Sequence, residues 1–343
     1  MKILLTGASG LLGANIAHEL HQRGHTIRVL ARPGSNLQTI STLPYELASG
    51  DVTDIDSVRK ATKGCDAVIH AAAVTGPSPT HFSFYEPVNL QGTINMVEAA
   101  REYEVQRFIY VSTADTLGFG SKEQPGDEWS EYGLYKFDSG YANSKYLAQQ
   151  YVLEQAALNV FPAIVVNPSF LIGPFDQKPS TGKIILRGLG SGMQFCPPGG
   201  KSFISVKDAA YAIGQALTKG EIGECYLLGG ENLSFGEFFQ VLNDVTGHRG
   251  IQITIPGWLL RGLGYTAGAF SWLSNGNGDF NAVNARLLCQ GYYYNCDKAR
   301  RELDLPQTPI REAIREAVEW FLDAGMLPQA AAPGIILQKR VAS

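Results

Sequence analysis

The chain has 343 residues, 45% of them hydrophobic and 17% charged, with a formal net charge of −4 at pH 7. That composition suits a soluble protein with a large buried core. The mild acidity, with no basic tract beyond Lys298, Arg300 and Arg301, argues against broad nucleic-acid binding. Cys65, Cys196, Cys225, Cys289 and Cys296 are scattered, without C-x-x-C or Cys/His ligand spacing, so neither a disulfide framework nor a metal site is expected and a reducing compartment is the default. An apolar run starts at Met1, leaving no room for a signal peptide, and no run of about 18 apolar residues occurs. A cytoplasmic protein with no integral membrane segment is the expectation.

Residues 1–5 (M-K-I-L-L) are apolar enough for a buried strand and lead into T-G-A-S-G-L-L-G, Thr6 to Gly13, before an amphipathic pattern over 12–23. Strand, glycine turn and helix start, in that order, suit a dinucleotide. Gly7 can take a positive φ, Gly10 admits a pyrophosphate, Gly13 lets the helix pack on the strand, and the helix start supplies N–H donors. Gly7, Ser9, Gly10, Leu11, Leu12 and Gly13 are therefore the expected cofactor contacts, a glycine turn without ligand being the alternative. Gly24 and His25 end the helix, residues 26–30 read as the second strand, and Arg32, Pro33, Gly34 and Ser35 form a turn.

Further strands are expected at 45–52, 67–73, 107–112 and 163–168, and helices at 57–63, 89–103 and 139–158. Apolar strands alternating with helices give an α/β fold, a doubly wound parallel sheet covered on both faces. Beyond Pro168, glycine and proline shorten the elements. The expected division is a Rossmann domain over 1–169, completed by about 203–230, a smaller mixed α/β substrate lobe over 170–202 and 231–327, and a loosely held tail over 328–343. Within the lobe, 309–324 reads as a closing amphipathic helix. The apolar, glycine-interrupted segment 255–273 is expected to line a pocket or pack in the core, with interfacial membrane contact as the alternative.

Tyr141 and Lys145, four residues apart in Y-A-N-S-K, share one face of the helix expected there. A cation beside a phenol lowers its pKa from near 10, which a proton-transferring tyrosine at neutral pH needs. The strand before that helix ends in Ser112 and Thr113, and strand ends are where ligands sit in such sheets. At the end of the second strand, where an NAD enzyme places a carboxylate for the ribose, this chain has Ala31 followed by Arg32. An arginine there can pair with a 2′-phosphate, so NADP (NADPH) is the favoured cofactor and NAD a possible one. Arg28, on the same strand, is expected to point elsewhere.

T-G-A-S-G-L-L-G, the end of the fourth strand at His70, V-S-T-A-D-T-L-G, Y-A-N-S-K and N-P-S-F-L-I-G-P together resemble the extended short-chain dehydrogenase/reductase superfamily, within it the NAD-dependent epimerase/dehydratase family, over nearly the whole chain. The resemblance implies Tyr141 as general acid/base and Lys145 as a further hold on the nicotinamide ribose. It implies that Thr113, five residues before Gly118, bonds the reacting oxygen, with Ser112 the neighbour it could be confused with. Asn89 would support a proton-relay water, a role compatible with an ordinary N-cap. Cofactor contacts are implied for Asp51 and Val52 at the adenine, for Ala71, Ala72 and Ala73, and for Asn167, Pro168 and Ser169.

Dihydroflavonol-reductase-like members and hopanoid-associated sugar epimerases are the nearest in pattern, through Ala31-Arg32, K-P-S-T-G and Y-L-L-G-G-E-N-L. Where nucleotide-sugar epimerases carry an arginine for the diphosphate, this chain has P-P-G-G-K-S-F with Lys201. The implied activity is NADPH-dependent reduction of a ketone or aldehyde. A sugar epimerase or dehydratase, a sterol or lipid oxidoreductase of the 3-beta-hydroxysteroid dehydrogenase type, and a non-catalytic NADP sensor are the alternatives. His81, Phe82, Tyr85, Phe170 and Phe195 are candidate contacts for a small-molecule carbonyl or alcohol substrate, although aromatics more often pack in cores. A homodimer through the helices at 89–103 and 139–158 is a further implication of the resemblance.

Overall fold

A computed structural model describes residues 1–76, 81–137, 139–159, 161–190, 192–262 and 282–342. Most of the 255–273 segment, and 77–80 before His81, lie outside the described residues.

The apolar runs form β1 (Lys2–Thr6), β2 (Thr26–Ala31), β3 (Tyr45–Ser49), β4 (Ala67–His70), β5 (Arg107–Val111) and β6 (Ala163–Pro168). Later come β7 (Phe170–Ile172), β8 (Met193–Cys196), β9 (Gly200–Ser205), β10 (Cys225–Leu228), β11 (Glu231–Ser234), β12 (Ile251–Thr254) and β13 (Gly291–Tyr292). Seven strands build one sheet in the order β10-β6-β5-β4-β1-β2-β3, with every neighbouring pair parallel. The order reverses between β1 and β4, so a crevice opens where their carboxyl ends diverge.

The side-chain alternation of a strand divides the core in two. Ile3, Leu5, Ile69 and Ile109 face one side with Ile16 and Leu20 of α1 (Leu11–Gln22). Leu4, Val68 and Phe108 face the other with Val58 of α2 (Ile55–Thr62). Each such aliphatic or aromatic side chain, fully buried, contributes roughly 1.5–3 kcal/mol, which is why the strands are apolar on both faces. Arg28 bridges to Glu46 at 2.8 Å and donates to the carbonyls of Ala61 and Lys63 at 2.7 Å each, closing the end of α2.

The helix expected to open at Asn89 starts earlier, as α3 (Phe82–Glu86). A π-helical stretch, Pro87–Gln91, then leads into α4 (Gly92–Glu102). On the sheet's opposite side from α4, α7 (Val206–Lys219) packs on α1; between them in sequence come α5 (Gly140–Asn159) and α6 (Lys183–Gly190). Residues 203–230 divide differently from the expectation: α7 and β10 complete the large sheet, but β9 belongs to a second sheet. There β9 pairs parallel to β7 and β13 and antiparallel to β11. A third core, with Phe203, Phe238, Leu242, Ile314 and Phe321, holds this lobe together. The tail is docked, not loose: Ala332 and Ile335 are buried in that same core, packed against α8 (Phe235–Thr246). No helix among the described residues is long and apolar enough to cross a membrane.

Candidate active site

The glycine turn is built around contacts that leave no room for side chains. Gly7 has φ +79°, and a Cβ there would lie 2.7 Å from the backbone of Ala71 and Ala72; at Gly13 it would lie 2.1 Å from the Gly7 carbonyl oxygen. Gly10 differs: it is exposed, and a Cβ would meet only the Gly7 oxygen at 3.4 Å. Gly10 also caps α1 without a side-chain hydrogen bond, so the first N–H groups of a 12-residue helix are left for an anion. A cradle closed at Gly7 and Gly13 and open at Gly10 fits a dinucleotide pyrophosphate, with Ser9, Leu11 and Leu12 beside it.

Behind this turn runs a buried hydrogen-bonded chain. The Ala72 N–H donates to Thr6 Oγ1 at 3.0 Å, Thr6 Oγ1 lies 2.8 Å from His70 Nδ1, His70 Nε2 lies 3.2 Å from Thr93 Oγ1, and Thr93 donates to the Asn89 carbonyl at 2.7 Å. Because Thr93 spends its proton on a carbonyl, it accepts from His70 Nε2–H, and Nδ1 accepts from Thr6. Burial first, and the charge of Lys145 second, push the His70 imidazole down to about 3, so it stays neutral. It joins the ends of β1 and β4 to the π-helical stretch.

At the opposite end of the crevice, Arg32 is exposed, with Nε 4.0 Å from Asp51 Oδ2. The strand-end position itself is Ala31, and the carboxylate beside this arginine comes from Asp51, the residue expected at the adenine. Asp51 Oδ1 accepts from both the N–H and the hydroxyl of Thr53 at 2.9 Å, and Val52 is buried with its carbonyl accepting from Asn95 at 2.9 Å.

α5 carries Tyr141 and Lys145 on one face. The Thr113 hydroxyl acts on the Tyr141 phenol, whereas Ser112 Oγ faces Thr116 Oγ1 at 3.4 Å. Burial lifts the Tyr141 phenol well above its ordinary pKa, Asp115 lifts it further, and the Thr113 hydroxyl partly offsets both. Lys145 is 2% exposed. Its ammonium donates to the Val111 carbonyl at 2.8 Å and lies 4.2 Å from the centre of the Tyr110 ring. Burial brings it down to about 7. The expectation that Lys145 lowers the Tyr141 pKa is thus not met, because the ammonium is turned to Val111 and desolvation dominates the phenol.

Asn89 is buried within the π-helical stretch and is not an N-cap. Its Oδ1 accepts from the Val74 N–H at 2.8 Å, and its Nδ2 donates to the Val74 carbonyl and to Ser144 Oγ at 3.0 Å each. Ser144 in turn donates to the Tyr141 carbonyl at 2.7 Å. The loop after β4 is thereby tied to the first turn of α5.

Asn167 is fully buried, and its side-chain amide nitrogen faces the turn after β5. Nδ2 lies 3.1 Å from the Thr113 carbonyl, 2.9 Å from Thr116 Oγ1 and 2.7 Å from Gln149 Oε1. Gln149 also accepts from Thr116 at 2.8 Å. Sequence reasoning missed Gln149, although it follows Tyr141 and Lys145 at the same four-residue step. Pro168 pairs with Leu228 of β10, and Ser169 Oγ is buried without a partner among the described residues.

Of the candidate substrate contacts, Tyr85 comes closest to the centre: its ring stands edge-on to Tyr141 at 6.0 Å and its hydroxyl donates to the Gly76 carbonyl at 2.8 Å. Phe82 is half-buried at the start of α3, and His81 before it is exposed. Phe170 packs against Phe203 at 5.2 Å in the second-lobe core. Phe195 is 53% exposed on β8.

The chain matches the family model described as "NAD dependent epimerase/dehydratase family" over residues 3–229. It is 30% identical over 332 residues to sterol demethylase protein B of Methylococcus capsulatus, covering 95% of this chain and 100% of that protein. A protein of Synechocystis sp. named as a dihydroflavonol 4-reductase is 31% identical over 340 residues, 94% of each chain. The crystal structure of gox2253 superposes with a TM-score of 0.83 at 31% identity, over 96% of this chain and 99% of the other. Cradle, sheet order and whole-length relatives agree: the chain belongs to the NAD-dependent epimerase/dehydratase family of the extended short-chain dehydrogenases/reductases.

Proposed function

We propose that the chain is an NADPH-dependent oxidoreductase that reduces a ketone or aldehyde, with Tyr141 as the general acid/base. The observation that carries this reading is the face of α5 that bears Tyr141 and Lys145, docked by the 2.8 Å bond from Lys145 to the Val111 carbonyl at the carboxyl end of β5, next to Thr113 and on the same side of the sheet as the glycine cradle. Bound nicotinamide would supply or accept the hydride, held by the cradle and, at its ribose, by Tyr141 and Lys145.

The chain's own residues manage the proton. With its pKa raised, the Tyr141 phenol is protonated at neutral pH and can donate from Oη to a carbonyl oxygen as negative charge grows there. Thr113 Oγ1 can hold that same oxygen. Lys145 uses one of its three hydrogens on Val111, leaving donors for a ribose and a positive charge that favours the phenolate in the reverse direction. Arg32 supports NADPH: it is exposed and only loosely paired at 4.0 Å, free to turn to a 2′-phosphate.

A second reading, oxidation of a sterol or lipid alcohol, is favoured by the whole-length similarity to sterol demethylase protein B. Leu147 and Leu158, exposed on α5, support a homodimer through this helix in a cytoplasmic protein.

The test is a panel of aldehydes, ketones and alcohols assayed with NADPH and with NADH by nicotinamide absorbance, on wild type and Tyr141→Phe. Turnover is expected with NADPH, falling about 10²–10⁴-fold in Tyr141→Phe with cofactor affinity retained. A preference for NADH would overturn the Arg32 assignment. Unaltered turnover in Tyr141→Phe, or a tightly held NAD that does not exchange, would overturn the reductase reading.

A further inference from the structure

In the second lobe, a small sheet has one covered side and one bare side. β8 and β12 pair parallel, with Met193 beside Ile251 and Phe195 beside Ile253. Hydrogen bonds to α8 fix the covered side: Gln194 Nε2 donates to Asn243 Oδ1 at 2.8 Å, and Gln252 Nε2 donates to the Gly236 carbonyl at 3.3 Å. Because side chains alternate along a strand, Met193, Phe195, Ile251 and Ile253 point the other way. Three of these are open to solvent, Met193 at 51%, Phe195 at 53% and Ile251 at 67%.

The apolar surface continues past the strands. The Ile255 N–H still bonds the Cys196 carbonyl at 3.0 Å, and in the turn that follows, the N–H groups of Leu259 and Leu260 return to the Pro256 carbonyl at 3.0 and 3.1 Å. In that turn Trp258 is 75% exposed and Leu259 39%. A single exposed apolar residue is ordinary, whereas several on one strand pair and its turn mark an interaction surface.

The charge carried by these segments has one sign. Residues 184–200 and 245–262, which hold both strands and the turn, include Arg187, Arg249 and Arg261 and no Asp or Glu, in a chain whose net charge is −4. Arg249 precedes Ile251 by two residues and Arg261 follows Leu259 by two, so an exposed arginine stands at each end of the strand and turn. The acids Glu237 and Asp244 belong to α8, on the covered side, and Glu237 is paired with Lys122 at 2.5 Å.

Extent and charge together select the partner. The exposed apolar side chains present on the order of 600 Å², less than the ~800 Å² per partner of a standard protein interface. Met193, Phe195, Ile251 and Leu259 also carry no side-chain donor that would orient a protein partner. A lipid surface needs neither a larger area nor directional bonds: it takes up apolar side chains, seats a tryptophan at headgroup level and attracts arginines to its phosphates.

We propose that the bare face of β8 and β12, with the turn at Trp258 and with Arg249 and Arg261, docks on an anionic lipid bilayer. The docking is peripheral, since each strand has four residues and a spanning strand takes about 9–11. It lays the second lobe on the membrane and stands apart from the reductase reading of Tyr141.

The test is flotation of the full chain, without cofactor or substrate, on vesicles of phosphatidylcholine alone and of phosphatidylcholine with about 30% phosphatidylglycerol. Wild type is expected to partition at least about fivefold better onto the anionic vesicles. Ile251→Thr combined with Trp258→Gln removes apolar surface, and Arg249→Gln combined with Arg261→Gln removes charge; each pair should lower that partitioning about tenfold. Melting temperatures of both variants should stay within about 4 °C of wild type, because the altered side chains are exposed. Flotation on neither vesicle, no preference for the anionic one, or flotation that either variant keeps overturns the proposal. So does a wild-type dimer that Ile251→Thr with Trp258→Gln dissociates, which makes the face a contact between copies, and so does a larger fall in the melting temperature of that variant, which shows the face covered within the chain.

Discussion

Lys145 offers a quantitative test of how the site is built. The side chain is 2% exposed, with one hydrogen bond to the Val111 carbonyl, and burial takes its pKa from 10.5 to about 7. The folded chain therefore binds this proton less tightly than the unfolded chain, and stability rises with pH between those values. At 1.36 kcal/mol per pKa unit, holding the ammonium costs the cofactor-free fold roughly 4 kcal/mol at pH 7 and roughly 1 kcal/mol at pH 9.5. Lys145→Met removes the charge and keeps most of the volume. It also orphans the Val111 carbonyl, a loss of about 1–3 kcal/mol that does not vary with pH. The stability of Lys145→Met relative to wild type should then fall by roughly 3 kcal/mol between pH 7 and pH 9.5. Urea denaturation of both proteins without cofactor, at the two pH values and constant ionic strength, measures it. Groups common to both proteins cancel in the difference. A stability gap that does not change with pH would refute the claim that Lys145 is a desolvated cation waiting for its ligand. The same variant should lose turnover.

Two further outcomes test the cradle and the support behind Thr113. Gly13→Ala should fail to fold normally, since its Cβ would lie 2.1 Å from the Gly7 carbonyl, whereas Gly10→Ala, with only one atom at 3.4 Å, should keep the wild-type melting temperature and lose cofactor affinity. Thermal melts with and without NADPH separate them, and equal cofactor binding by Gly10→Ala would show that the pyrophosphate lies elsewhere. Gln149→Leu leaves Asn167 Nδ2 and Thr116 without their shared acceptor, costing about 1–3 kcal/mol; turnover should drop with NADPH affinity unaltered. Unaltered kcat would mean that the turn holds Thr113 without this network.

The cradle was legible in the sequence because a positive φ at Gly7 and backbone contacts at Gly7 and Gly13 admit only glycine. Tyr141 and Lys145 were legible as a helical step of four, and Gln149 at the next step could have been read the same way. Asn167 could not: its type fits a cofactor contact as well as a buried brace, and only the packing of β6 beside the turn after β5 turns it inward. Phe170 and Phe195 were ambiguous for the same reason, since an aromatic in a short strand gives no sign of which face is covered. The docked tail was missed because its partner, α8, lies far away in sequence.

What the sequence by itself determined is the alternation of strand and helix, the phosphate turn and the residue types at the reacting centre, all set by local sterics and periodicity. The tertiary structure decided the electrostatics. It turned the Lys145 ammonium to Val111, raised the Tyr141 phenol by burying it and set Asp51 beside Arg32. Desolvation and long-range charge depend on which groups are enclosed together, and that is a property of the assembled fold.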